Sequence, residues 1–122
     1  MRQAYAHDAV VALTAGGDER APGGAITREL CGSLEHEPPC PLASHYIGLT
    51  RDDHDDGDTV RLRVLFAAEP ADEPEVRRRI GVALRSAELT GPDGLTTRWR
   101  LRAETAAAVR PGERDHAARL AR

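Results

Sequence analysis

The sequence predicts an α+β domain: a mainly antiparallel sheet of about five strands, one amphipathic helix packed on one face, and a short C-terminal helix. Three observations carry this. Short segments of period-two patterning fill the N-terminal half, a single helical stripe follows between Val76 and Ala87, and strands come in a run before the helices rather than alternating with them. The chain of 122 residues is read as one domain, 1–122, long enough to bury a core without help from a metal or a disulfide.

Val10 to Ala15 reads as a short apolar strand. Gly16 to Gly24 holds four glycines and a proline and reads as a loop. Ile26 to Leu30 sets Ile26, Arg28 and Leu30 against Thr27 and Glu29, which predicts a second short strand with Cys31 at its exit. Pro38, Pro39 and Pro41 exclude helix from residues 32 to 44 and imply a stiff, extended loop. Tyr46 to Thr50 fits a third strand. Thr59 to Ala67 is the clearest strand: Val60, Leu62, Val64 and Phe66 share one face while Arg61 and Arg63 point away. The two form a hairpin through Asp52 to Asp58.

A helix should then start with Asp72 as N-cap and Glu75 as its capping-box partner, with Pro74 tolerated in the first turn. Val76, Ile80, Ala83, Leu84 and Ala87 make one apolar stripe, and Gly91-Pro92-Asp93-Gly94 ends the helix. Thr97, Trp99, Leu101 and Ala103 alternate with Arg98, Arg100 and Arg102 in a fifth strand. Pro111 and Gly112 precede a short helix, Glu113 to Leu120. The expected order is β-β-β-β-α-β-α.

Composition narrows the function. Hydrophobic residues make up 40% and charged residues 30%, the balance of a globular rather than a disordered chain. Aromatics are only 3%, too few for a base-stacking platform, and the net charge of -3 gives no field to recruit polyanions, so nucleic acid is not expected as a partner. All 17 basic residues are Arg; the absence of Lys removes Schiff-base and P-loop chemistry. No apolar run approaches the roughly 18 residues of a membrane span, and Met1 to Gly17 carries His7 and Asp8 where a signal peptide needs an apolar run, so no membrane partner and a cytoplasmic location are expected. Composition leaves the oligomeric state open.

The chemically pointed segment is CGSLEHEPPCPLASHY, residues 31 to 46. Cys31, His36, Cys40 and His45 form C-x4-H-x3-C-x4-H, two thiols and two imidazoles that together suit a tetrahedral Zn²⁺. The prolines stiffen the loop, which lowers the entropy lost on metal closure, and Cys31 and His45 are expected on strand ends. Zinc leads as cofactor; Cu(I) and Fe²⁺ suit the same donors. A site of two or three of these ligands, a reduced thiol pair and a Cys31–Cys40 disulfide are the alternatives, the last opposed by a reducing compartment. Glu35 and Glu37 flank His36, so an open metal position would have a general base beside it. A closed four-ligand set is structural. The leading function is therefore a metal-stabilised module for a protein partner; a small metalloenzyme and a thiol redox sensor are the alternatives.

Other features are weaker. Asp52 to Asp58 carries five aspartates and His54, but lacks the closing Glu of a calcium loop and reads as a solvated turn. The arginines at 77–79, Arg85 and the strand arginines read as solvated faces or the rim of a partner interface. His7 and His116, near the ends of the sequence, are given no role.

Overall fold

The computed structural model describes residues 1–31, 43–52 and 58–121. Five strands form one antiparallel sheet: β1 (Gln3–Leu13), β2 (Ser44–Asp52), β3 (Thr59–Ala68), β4 (Glu88–Thr90) and β5 (Thr96–Ala107), in the spatial order β2-β3-β1-β5-β4. Among the described residues there are three α-helices, α1 (Ala21–Cys31), α2 (Glu73–Ser86) and α3 (Arg114–Ala121); short 3-10 turns at Pro70–Asp72 and Pro111–Glu113 lead into the last two. The fold is α+β with an antiparallel sheet, as the patterning predicts. Its connectivity is not the expected run of strands. The order is β-α-β-β-α-β-β-α. β1 and β2 are both antiparallel to β3, which lies between them, and β3 and β5 are both antiparallel to β1. This is the split β-α-β arrangement of ferredoxin-like domains.

The main correction concerns residues 21–31. The strand expected at Ile26–Leu30 is the second half of helix α1, and the loop expected at Gly16–Gly24 ends at Arg20. Alternation of Ile26, Arg28 and Leu30 satisfies a strand template over five residues. The four-residue spacings Ala21–Ala25 and Pro22–Ile26–Leu30 satisfy a helix over ten, and short apolar runs fit both. Burial decides between them: Ala21, Pro22, Ala25, Ile26 and Leu30 all face the core, while Arg28 is exposed. Pro22 sits in the first turn, where its missing N–H costs nothing. Gly23 lowers helix propensity by about 1 kcal/mol relative to Ala. It lies against β2, where a Cβ would come within 3.4 Å of Ile47 Cγ2.

Further boundaries differ. The first strand starts at Gln3 instead of Val10, and the fifth runs on to Ala107. Helix α2 begins at Glu73, but Asp72 makes no side-chain cap; it belongs to the preceding 3-10 turn, in helical rather than extended conformation. The helix ends at Ser86, not at Gly91. Ala87 takes the left-handed conformation (φ 65°), and its carbonyl accepts the Trp99 backbone N–H at 2.9 Å. The indole N–H of Trp99 donates to the Leu84 carbonyl at 2.9 Å, satisfying another helix-end acceptor. The Gly91–Gly94 turn therefore joins β4 to β5, with Gly94 at φ 82°.

The core lies between the sheet and the α1–α2 layer. Val60, Leu62, Val64 and Phe66 of β3 and Val76, Ile80, Ala83 and Leu84 of α2 are buried in it, as their periodicity predicts, together with Val11, Ile26, Leu30 and Trp99. On the opposite face α3 covers one end of the sheet: Ala117, Ala6, Leu65 and Ala67 are buried. Arg63, on that face, uses every arm. Its Nε and NH2 donate to the Glu113 carboxylate at 2.7 Å, NH1 donates to Asp8 at 2.8 Å, and NH2 also donates to the Ala108 carbonyl at 2.7 Å. The guanidinium holds the Glu113 carboxyl down to about 2.

Candidate metal centre

The donor segment starts on α1 and ends on β2. Cys31 is the last residue of α1, so it terminates a helix and not a strand as expected; His45 is the second residue of β2. His36 and Cys40, with the alternative bases Glu35 and Glu37, lie outside the described residues. Among the described residues no group of three or more His, Cys, Asp or Glu is arranged to hold a metal ion.

His45 is opposite Phe66 in the β2–β3 pairing, on the face that carries α1 and α2, and is half-buried. Its Nδ1 is 3.2 Å from the Ala43 carbonyl oxygen, and its Nε2 is 3.0 Å from Thr27 Oγ1 on α1. A carbonyl only accepts, so in the neutral ring Nδ1 carries the proton and Nε2 accepts from the Thr27 hydroxyl. Metal-bound imidazoles are commonly oriented in this way, one nitrogen donating to a backbone carbonyl while the other binds the metal.

The packing of α1 along β2 has a simple register. Gly23 lies against Ile47 and Thr27 against His45. Four helical residues rise about 6 Å and two strand residues about 6.6 Å, so the two elements stay in step. Cys31 closes α1 and His45 lies near the start of β2, so the two ends of the C-x4-H-x3-C-x4-H segment are each on a regular element.

Three comparisons bear on kinship. No family model matches the chain, and no curated protein matches it. Among solved structures, a hydantoinase/carbamoylase family amidase from Burkholderia ambifaria is similar at a TM-score of 0.49 and 13% identity. That match covers 97% of this chain and 32% of the amidase, so the chain spans about a third of its length. Likeness at this level carries no functional inference, and a split β-α-β layout hosts many unrelated functions.

A second polar cluster is one that sequence reading passed over. His7 lies in the core with its side chain 6% exposed. The Arg77 guanidinium donates to Nδ1 at 3.0 Å, which puts the neutral ring's proton on Nε2, and Nε2 donates to Glu104 Oε2 at 3.1 Å. Arg77 also donates to the Ala6 carbonyl at 2.7 Å and to Glu73 at 2.8 Å, and stacks over the Phe66 ring at 5.2 Å. Glu104 in turn accepts from Arg85 at 3.2 Å. The cluster ties α2 to β1 and β5 with its hydrogen-bonding capacity used internally, which marks it as architectural. The signal available in sequence was period two: His7 shares a face with the core residues Ala9, Val11 and Leu13.

The strand arginines divide. Arg61, Arg98 and Arg100 are exposed as expected, whereas Arg63 is tied down by Glu113 and Asp8. A recess of about 390 Å³ lies beside it, lined by residues including Val10, Tyr46, Gly48, Arg61 and Arg110. The Tyr46 ring rests 4.5 Å from that of His116, so His116 helps seat α3. Of the aspartate turn, residues 53–57 lie outside the described residues; at its far end the Asp58 carbonyl accepts the Leu13 N–H at 2.8 Å. No helix among the described residues is long and apolar enough to cross a membrane.

Proposed function

We propose that the chain is a non-enzymatic interaction module whose segment from Cys31 to His45 is closed by one Zn²⁺ on Cys31, His36, Cys40 and His45, with the thiols kept reduced as in a cytoplasm. The observation that carries the reading is the pose of His45. Its Nδ1 faces the Ala43 carbonyl, and its Nε2 faces α1 one helical turn from Cys31. The neutral, Nδ1-protonated imidazole has the tautomer a zinc ligand needs. Two thiolates and two neutral imidazoles cancel the charge of Zn²⁺ and fill a tetrahedral shell, which favours a structural site over a catalytic one. The partner would meet the segment that the metal stiffens.

The large side chains of the described core come from β1, β3, β4, β5, α1 and α2, so the chain should stay folded without metal. It should differ in this from small fingers, whose metal supplies the folding energy. Elemental analysis of protein purified without chelator should find about one zinc per chain. Cys40→Ser should lose the metal and stability while keeping its helix content, and a strong chelator should lower the wild type to the same level. Protein that is metal-free as isolated, takes up none under reducing conditions, and is indifferent to chelator would sink the reading.

A further inference from the structure

We propose that the recess beside Arg63 binds a small aromatic carboxylate, a function that does not depend on the metal reading above. The recess of about 390 Å³ lies on the sheet face that carries α3, and the strand register explains it. Three rows of side chains cross that face: Ala6, Leu65 and Tyr46; Asp8, Arg63 and Gly48; Val10, Arg61 and Thr50. Helix α3 closes over the first row, where Ala6 and Leu65 are buried and the Tyr46 ring rests against His116. In the second row Gly48 supplies no side chain. It is the central residue of the nine in β2, a position where glycine weakens a strand. Its φ is not positive, so no backbone conformation requires it. No close approach requires it either: among the described residues a Cβ would meet only Tyr46 Cε1 at 3.7 Å and the Arg63 carbonyl oxygen at 3.9 Å, both ordinary contacts. What the glycine provides is the open space over the sheet, and a mid-strand glycine often marks a place where a ligand comes close.

The lining selects the ligand. Three arginines, Arg61, Arg63 and Arg110, line the recess with two carboxylates, Asp8 and Glu113, which leaves an excess of positive charge and favours a monoanion. Both carboxylates are bound to Arg63, whose three nitrogens all donate to them or to the Ala108 carbonyl. What that guanidinium still offers is chiefly its planar face, and its side chain is 16% exposed. A guanidinium face stacks on an aromatic ring. Arg110 supplies the charge: it is exposed, and among the described residues its guanidinium makes no ion pair. The Tyr46 ring and the Val10 side chain add apolar wall. A flat ring therefore lies over Arg63 in the space above Gly48, with its carboxylate toward Arg110.

The experiment titrates the full chain with 2-naphthoate and follows its amide ¹H–¹⁵N spectrum. Saturable shifts should appear at the Tyr46–Thr50 and Arg61–Arg63 amides, with a Kd of about 1 mM or below, the affinity expected of a ligand of this size. Decahydro-2-naphthoate keeps size and charge without the π system and should bind ~3-fold more weakly or worse. The neutral 2-naphthalenemethanol should be weaker as well. Gly48→Val fills the recess with a side chain that suits a strand; it should melt no lower than wild type and lose the shifts. Arg110→Ala removes an exposed side chain, leaves the fold intact and should weaken 2-naphthoate ~2- to 5-fold. It tests the site even if Gly48→Val does not fold. Absence of saturable shifts at about ten times the expected Kd refutes the site, as do shifts confined to other residues. A folded Gly48→Val that binds like wild type refutes it too. Equal binding of the saturated acid or of the alcohol refutes the ligand class, and an Arg110→Ala that binds like wild type refutes the seat of the carboxylate.

Discussion

Replacing Gly81 by alanine tests whether the His7 cluster governs the seating of α2. On an exposed helix the change is favourable, worth about 1 kcal/mol. Gly81 is buried where α2 crosses β5, and a Cβ there would fall 2.8 Å from Arg85 NH1 and 2.9 Å from Glu104 Oε1, closer than real Cβ contacts come. Arg85 can swing away cheaply, because its side chain is 57% exposed. Glu104 cannot, because its other oxygen accepts the Nε2–H of buried His7, whose remaining nitrogen is held by Arg77. Moving the carboxylate leaves a buried donor unpaired, at a cost of ~1–3 kcal/mol. The helix gain offsets part of this, so Gly81→Ala should destabilise by ~1 kcal/mol. Urea unfolding is the assay, followed by the fluorescence of Trp99, the sole tryptophan, whose indole is bonded to Leu84 at the end of α2. In a Glu104→Ala background the obstacle is gone, and the same substitution should become stabilising; the sign reversal is the coupling a double-mutant cycle reads. A stabilising Gly81→Ala in the wild-type background, or an equal effect in both backgrounds, would show that Glu104 yields freely and that the cluster does not fix the helix.

Two further predictions concern the sheet's other face and the end of α2. Arg63 holds the folded-state carboxyl of Glu113 down to about 2 from the ordinary 4.5, so its stabilisation is full above the ordinary value and is lost as pH falls through the folded one. Wild type should therefore be more stable than Glu113→Gln at neutral pH, and the two acid-unfolding curves should converge near pH 2; a gap that stays constant across this window refutes the linkage. Ala87→Gly relieves a left-handed residue at φ 65° and should stabilise by ~1 kcal/mol in the same urea assay, while a loss of stability would mean that the methyl group packs usefully.

Periodicity in the sequence was enough to identify β3, the hairpin it makes with β2, the α2 stripe and the α+β class. Val60, Leu62, Val64 and Phe66 recur at every second position, and Val76, Ile80, Ala83 and Leu84 repeat as a helix does, so local pattern and global burial agree. It was not enough for α1. A glycine-rich stretch followed by Ile26-Thr27-Arg28-Glu29-Leu30 fits two templates, and tertiary packing, chiefly against α2 with Ala21, Ala25, Ile26 and Leu30 buried, selects the helix. Misreading that one element changed the connectivity from a run of strands to a split β-α-β layout. The Cys/His spacing is written in the sequence, and it names the donor types of a zinc site. That His45 Nε2 faces Thr27 depends on a contact across 18 residues that no local pattern encodes. The same holds for His7. Its period-two position predicts burial, but the partners that make burial of a polar ring affordable, Arg77 and Glu104, arrive from 70 and 97 residues away. Short-range regularity fixes which faces are apolar. Partners for buried polar groups are fixed by which distant segments the core brings together, and that is a property of the tertiary structure alone.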